Sequence, residues 1–287
     1  MDEVIRPSRM AGTWYPAEPA ALRALLESSV KNAEACDLTG RLRALVVPHA
    51  GIRYSGRIAA AAYGLLERER FDSVLLLGPC HRGGDGLFLI QGGGIETPLG
   101  VVRIDRDLVA TLERSSSRIR YEPEVHLDEH SLEMQYPFLQ RFLPDVPVAP
   151  ILMGYQTREM IAIAIHAIEG AVKQSGRSVL LIASSDLSHF ETRARARELD
   201  AEVVGCLERF DPRGLAELLE ARHEHACGGG PMIAVLEAAR TLGASQSRVL
   251  AYGDSGDVTG DLAGVVGYVS AAFMDGREAR ASHRITG

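Results

Sequence analysis

Several residues able to bind metal or move protons fall where short apolar stretches end. His49 follows residues 44–47, His81 follows residues 73–77, and Asp186 and His189 follow residues 178–183. In open α/β sheets, ligands bind outside the carboxyl ends of the strands. Three strand ends from distant parts of the chain can therefore bring three of its nine histidines and an aspartate to one crevice. Taken alone, a histidine at a strand end is more often a turn or hydrogen-bonding residue. Pro48 and Gly51 around His49, and Pro79 before His81, favour tight turns that aim the side chain.

Cys227 is the next candidate. It precedes Gly228-Gly229-Gly230-Pro231 and a predicted helix over 232–242. A helix N-terminus lowers a thiol pKa, so the position predicts an accessible, thiolate-prone sulfur. The plainer reading is a small buried hydrophobe. Cys36, Cys80 and Cys206 read as structural, with Cys80 pointing away from its neighbour His81 by strand alternation. The segment from His126 to Glu133 is dense in ligand-type groups. Glu129 and His130 suit a pocket wall, and a solvated helix start explains them as well. His223 and His225 lie close to Cys227, as a metal tract or as a polar helix end. Asp254, Asp257 and Asp261 miss the spacing of a calcium loop. No Walker A motif, dinucleotide fingerprint or HExxH is found.

The elements that must position these residues follow from periodicity. Apolar runs of four to seven residues alternate with amphipathic stretches long enough for helices, at 19–33, 55–68, 107–114, 132–141, 157–175, 193–209 and 212–221. Further strands are predicted at 148–152, 248–252 and 265–269, and the glycine-rich 83–100 reads as a hairpin or broken strands. This alternation predicts one α/β domain over 1–274, with a mostly parallel central sheet and helices on both faces. Residues 275–287 read as a polar, frayed tail.

Composition excludes several classes. The 287 residues carry a net charge of −7, which disfavours nucleic acid or an anionic membrane as partner. Four scattered cysteines without a CxxC pair suit a reducing compartment. The longest apolar-rich stretch, 262–274, is shorter than the ~18 residues a membrane span needs. The first nine residues lack an apolar core, so a cytoplasmic location is expected.

Motifs spread from residue 6 to about 270 carry a resemblance. They are Arg6-Pro7 with Ala11-Gly12-Thr13-Trp14-Tyr15-Pro16, Val47-Pro48-His49-Ala50-Gly51, Gly78-Pro79-Cys80-His81, and Glu129-His130-Ser131-Leu132-Glu133 with Gln135 and Pro137-Phe138-Leu139. Ser184-Ser185-Asp186-Leu187-Ser188-His189, Cys227-Gly228, and Tyr252-Gly253-Asp254-Ser255 with Val266-Gly267-Tyr268 complete the set. Together they resemble the Memo-like family, also called AmmeMemoRadiSam system protein B. That family is similar in fold to class III extradiol ring-cleavage dioxygenases, whose non-heme iron uses two histidines and a carboxylate.

The resemblance implies His49 and His81 as metal ligands, Cys227 in place of the carboxylate, and His189 as the base beside the metal, with Asp186 to orient it. It implies iron, while a thiolate also admits copper or zinc. The implied activity is of dioxygenase type on an unknown small-molecule or peptide substrate. Metal-assisted hydrolysis and a non-enzymatic metal- or phosphopeptide-binding scaffold are the alternatives. The family name implies radical SAM pathway partners.

Overall fold

The computed structural model describes residues 4–33 and 40–276. Cys36 and residues 277–287 lie outside that range. Four strands form the parallel heart of the main sheet, in the order Leu42–Val47, Val179–Ser184, Ser73–Pro79, Val148–Met153. The last three are buried along their whole length. Strands covered on both faces need continuous apolar runs rather than alternation, and Val74–Leu77 and Val179–Ala183 supply them. Leu42–Val47 pairs in register with Val179–Ser184, from Ala44↔Leu181 to Val47↔Ser184.

The margins are antiparallel, so the sheet is mixed. Val265–Met274 joins Leu42–Val47 antiparallel and also pairs with Gln246–Asp254 and His189–Glu191. Leu87–Leu89 adds to the other side against Val148–Met153, followed by Ile119–Tyr121. The predicted glycine-rich hairpin is split. Leu87–Leu89 enters the main sheet, while Gly94–Thr97 and Gly100–Arg103 form a small separate sheet with Ile5–Arg6.

Helices flank the sheet. Ile52–Tyr63 lies against Leu42–Val47, Gln246–Asp254 and Val265–Met274 and is backed by Pro19–Lys31. Gly229–Thr241 packs on the parallel strands and is backed by Arg158–Ser175. The predicted helix over 132–141 is broken into a 3-10 turn, Glu133–Gln135, and the helix Tyr136–Phe142. Pro137 cannot donate to the preceding turn, which limits the helix to starting there. Asp275, read from sequence as tail, is tied to the body. Its carboxylate accepts from Arg43 Nε and Nη2 at 2.8 Å each, and its amide donates to Arg41 O.

Glu133 fastens the chain's beginning to its middle. Its side chain is buried and accepts from Arg6 Nη1 (2.6 Å), Ser8 Oγ, the amides of Arg9 and Met10, and Tyr15 Oη (2.8 Å). Breaking a buried ion pair by removing one charge leaves the other uncompensated, at about 3–5 kcal/mol. Glu133→Gln is therefore expected to lower unfolding free energy by about that amount in urea titrations. A change within about 0.5 kcal/mol, ordinary for a surface site, would contradict the role given to this pair.

Candidate metal centre

His49 sits two residues beyond the end of Leu42–Val47 and His81 two beyond Ser73–Pro79, with Val179–Ser184 between those strands. Their rings meet above that middle strand at a centroid separation of 5.3 Å, nearly perpendicular at 89°. Each ring is held from behind. His49 Nδ1 lies 2.9 Å from Ser184 Oγ. That hydroxyl already donates to Ser131 O and accepts from Gln135 Nε2, whose amide is oriented by Tyr63 Oη and Pro48 O. A hydroxyl has one proton, so His49 must donate Nδ1–H and keep its lone pair on Nε2. For His81, Nδ1 donates to Glu129 Oε1 at 2.9 Å, and its amide donates to Oε2 at 2.7 Å. That leaves Nε2 as the ring nitrogen not spent on the support. A carboxylate or hydroxyl behind a ring nitrogen is how metal-ligating histidines are oriented.

Cys227 completes the arrangement. Its Sγ lies 3.2 Å from His49 Nε2, so the thiol donates to the lone pair just described. The loop carrying it reaches the strand end because residue 228 is glycine. A Cβ there would overlap Ser184 O and the Ser185 side chain. The Cys227 amide donates to Asp186 O, and that of Gly228 to Ser185 Oγ.

The expectation of a free thiolate is corrected. Cys227 lies just before the helix Gly229–Thr241, yet burial, then the nearby Asp186 carboxyl, push its pKa well above the usual value. Desolvation outweighs the helix terminus, and the metal-free sulfur is a neutral thiol.

His130, expected as pocket wall, enters the cluster itself. One ligand atom from each of His49, His81 and His130 lies within 4.8 Å of the others. The His130 ring stacks on His81 at 4.4 Å and 19°, and Trp14 stacks on its outer side at 4.2 Å and 27°. Imidazole lone pairs lie in the ring plane, so nearly parallel rings direct theirs side by side rather than to one point. Cys227 Sγ lies against His49 and is not in the group of ligand atoms that His49, His81 and His130 form. Glu129, the other expected wall residue, is the buried support of His81.

Asp186 differs from its expected role. Its Oδ1 accepts from the amides of His49 (2.7 Å) and Ala50 (3.2 Å). It thus holds the His49 turn, and among the described residues no hydrogen bond joins it to the His189 ring. Burial raises it to about 7 against the lowering effect of those amides. His189 does reach the cluster, being near enough to influence His49 and His130 electrostatically. It is followed by Phe190, 81% exposed and at φ 61°, where the pairing with Val265–Val266 shifts register. A bulge of this kind re-aims neighbouring side chains.

The remaining candidates fall elsewhere. His126 is buried with Nε2 on Phe88 O, His223 is exposed, and His225 is fully buried outside the histidine group. Cys80 and Cys206 are buried free thiols, as expected.

Ser184, Gln135 and Trp14 were visible only as motif members. Nothing in a serine's position as the last residue of a strand distinguishes it from a packing residue. Trp14 carried one signal, as the chain's single tryptophan.

A mixed α/β sheet with histidines and a cysteine gathered at the carboxyl ends of its parallel strands defines the class. The chain belongs to the Memo-like family, whose model matches residues 6–272. A MEMO1 family protein of Methanothermobacter thermautotrophicus is 36% identical over 273 residues, covering 92% of this chain and 99% of that one. Those of Methanocaldococcus jannaschii and Sulfolobus acidocaldarius are 36% and 35% identical, covering 93% and 95% of this chain and 98% and 100% of theirs. In fold, an uncharacterized protein of Escherichia coli K12 superposes with a TM-score of 0.52 at 14% identity, covering 81% of this chain and 99% of that one. No helix among the described residues is long and apolar enough to cross a membrane.

The site dictates a pH response of the metal-free protein. Burial holds His126 and His130 at about 4, and lowers His49 and His189 as well. These rings stay neutral when folded but bind protons when unfolded, below the ordinary value of 6.5. Stability is then fully present above 6.5 and is lost as pH falls toward 4. Asp186 and Asp200, both raised by burial, act in the opposite sense but are fewer. Urea midpoints are expected to fall steadily from pH 7 to about pH 4. A flat profile would show that the imidazoles protonate in place.

Proposed function

We propose that this protein holds one metal ion between His49 Nε2, His81 Nε2 and Cys227 Sγ, and uses it in redox chemistry of dioxygenase type. The reading rests above all on the two imidazoles, each held from behind at Nδ1, with the Cys227 sulfur against His49 Nε2. The donor set fits. Bonds of about 2.3 Å to sulfur and about 2.0 Å to nitrogen at a tetrahedral angle put those atoms about 3.5 Å apart. The observed 3.2 Å between the sulfur and His49 Nε2 is close to that, while Cys227 and His81, which share no group within 4.8 Å, would have to close in on the ion. Two imidazoles and a thiolate admit iron, copper or zinc. Iron is the first choice because the family resembles extradiol dioxygenases.

A bound metal of this kind supplies Lewis acidity and, for iron or copper, one-electron exchange. The protein's own groups do the rest. Glu129, held down to about 2 by the His81 ring and by amides despite burial, stays ionised and orients His81. Ser184 and Asp186 fix His49 from its ring and its amide. His189, neutral near pH 7 because burial lowers it, takes or returns a proton at a substrate seated beside the cluster. The substrate is a small molecule or peptide segment. Radical SAM partners belong to this proposal through the family name alone.

Anaerobically purified protein should bind about one iron or copper per chain, measured by elemental analysis after desalting. His49→Ala and His81→Ala should each weaken affinity at least tenfold, and Glu129→Gln by about 10–100-fold through loss of the support behind His81. His189→Ala should keep its metal. If it does not, His189 is a ligand and the site is closed by four protein donors. Metal should also protect Cys227 from alkylation relative to Cys206; equal rates with and without metal would remove Cys227 from the ligand set. Oxygen uptake with candidate catechols then separates a dioxygenase from a metal-assisted hydrolase or a scaffold.

A further inference from the structure

The segment 153–156 lies outside the cluster, yet it is hydrogen-bonded to both of the loops that a metal would have to draw together. It leaves the end of Val148–Met153, the strand beside the one that leads to His81. On one side Met153 O accepts from the Cys80 amide at 2.7 Å, and the amides of Gly154 and Tyr155 donate to Gly86 O and Gly84 O. These bonds fasten the segment to the His81 loop. On the other side stands Gln156. Its Nε2 donates to Cys227 O at 2.7 Å and its Oε1 accepts from the Gly230 amide at 2.6 Å. A carbonyl requires a donor and an N–H an acceptor, so only one orientation of the side-chain amide satisfies both. Gly230 permits the approach: a Cβ there would overlap Met153 Sδ and the Gln156 side chain.

The Cys227–Gly228 peptide is held at both ends. Its carbonyl accepts from Gln156, and its N–H donates to Ser185 Oγ at 2.9 Å. A trans peptide is planar and points its C=O opposite to its N–H, so the two partners pull from opposite sides. Ser185 follows Val179–Ser184 and Gln156 follows Val148–Met153, and Ser73–Pro79 lies between those two strands. A peptide stretched from one partner to the other therefore heads across the end of the strand that leads to His81.

We propose that Gln156 is a positioning residue for Cys227, holding the loop of the sulfur over the His81 strand end so that the thiol and His81 can close on one ion. Ser185 and Asp186 hold the same loop on the His49 side, where the sulfur already lies against Nε2. Gln156 is their counterpart on the His81 side, and it acts through the main chain of Cys227 rather than by touching the ion. Groups behind the ligands set metal affinity nearly as strongly as the ligands do. Gln156 is itself exposed, so its replacement leaves the core intact. The inference rests on Cys227 as a ligand, as proposed above.

Gln156→Met tests it, since methionine keeps the length of the side chain and loses both the donor and the acceptor. In full-length, metal-free protein, iodoacetamide should modify Cys227 about fivefold faster in Gln156→Met than in wild type, the ratio that one net hydrogen bond is worth, with the Cys206 rate unchanged. Equal Cys227 rates in the two proteins would overturn the inference. Cobalt(II) binding, followed by equilibrium dialysis and by sulfur-to-cobalt absorption, gives the second readout. Gln156→Met should weaken cobalt affinity about fivefold, and should change nothing further in a Cys227→Ala background, where the loop carries no sulfur to place. Weakening of equal size in both backgrounds would show Gln156 acting on the site at large and would also overturn the inference. If wild type shows no sulfur-to-cobalt absorption, the reading of Cys227 as a ligand fails, and the alkylation rates of the metal-free proteins still decide whether Gln156 holds the loop.

Discussion

A single carboxylate, that of Glu133, ties the two halves of this site together. It lies without solvent contact and collects donors from Arg6, Ser8, Arg9, Met10 and Tyr15. A buried charge is tolerated only when paired and fully hydrogen-bonded, and this one is. The segment that begins with Glu129 is thereby fixed against the N-terminal turn. From that one anchored stretch Glu129 reaches His81, Ser131 O reaches Ser184, and Gln135 reaches both Ser184 and the Pro48 carbonyl. The same anchor fixes the turn that lays Trp14 on His130. The orientation of both proposed ligand histidines thus depends on an ion pair that touches neither.

The supports of the cluster are polar and buried, and their donors and acceptors are matched. Such networks stabilise a unique arrangement when complete and are costly when broken. Their burial also explains why His49 and His130 stay neutral. Burial penalises the imidazolium, and neighbouring imidazoles repel a second charge. Lone pairs therefore remain available near neutral pH. The thiol is held neutral by the same desolvation, so any ligand role for Cys227 would require loss of its proton to the incoming ion.

Much of the fold was legible because the buried parallel strands are written as unbroken apolar runs, and their ends mark the crevice. His49, His81 and His189 could be placed at those ends without coordinates. What was hidden depends on long-range contacts. The role of Asp186 could not be read, because its partners are backbone amides 136 and 137 residues away. The thiol state of Cys227 was misjudged because helix position is a local signal and desolvation is not. Ser184 and Gln156 each look like ordinary residues of their strand or loop until the tertiary partner is known. The broken helix at 133–142 had a visible cause in Pro137, overridden in the reading by apolar periodicity.

The order of strands has a consequence for how the chain comes to be made. Leu42–Val47 lies inside the sheet, with Val179–Ser184 on one side and Val265–Met274 on the other. During synthesis the first of these partners emerges well over a hundred residues later, and the second near the end of the described chain. An early apolar strand must wait with open edges while most of the polypeptide is still being added. Pairings so distant in sequence form slowly, and exposed strand edges invite association in the interval. A nascent chain stopped before residue 265 would carry His49, His81 and Cys227 and still present an unsealed sheet. Val265–Met274, the last strand made, is thus the one that closes this edge of the parallel strands.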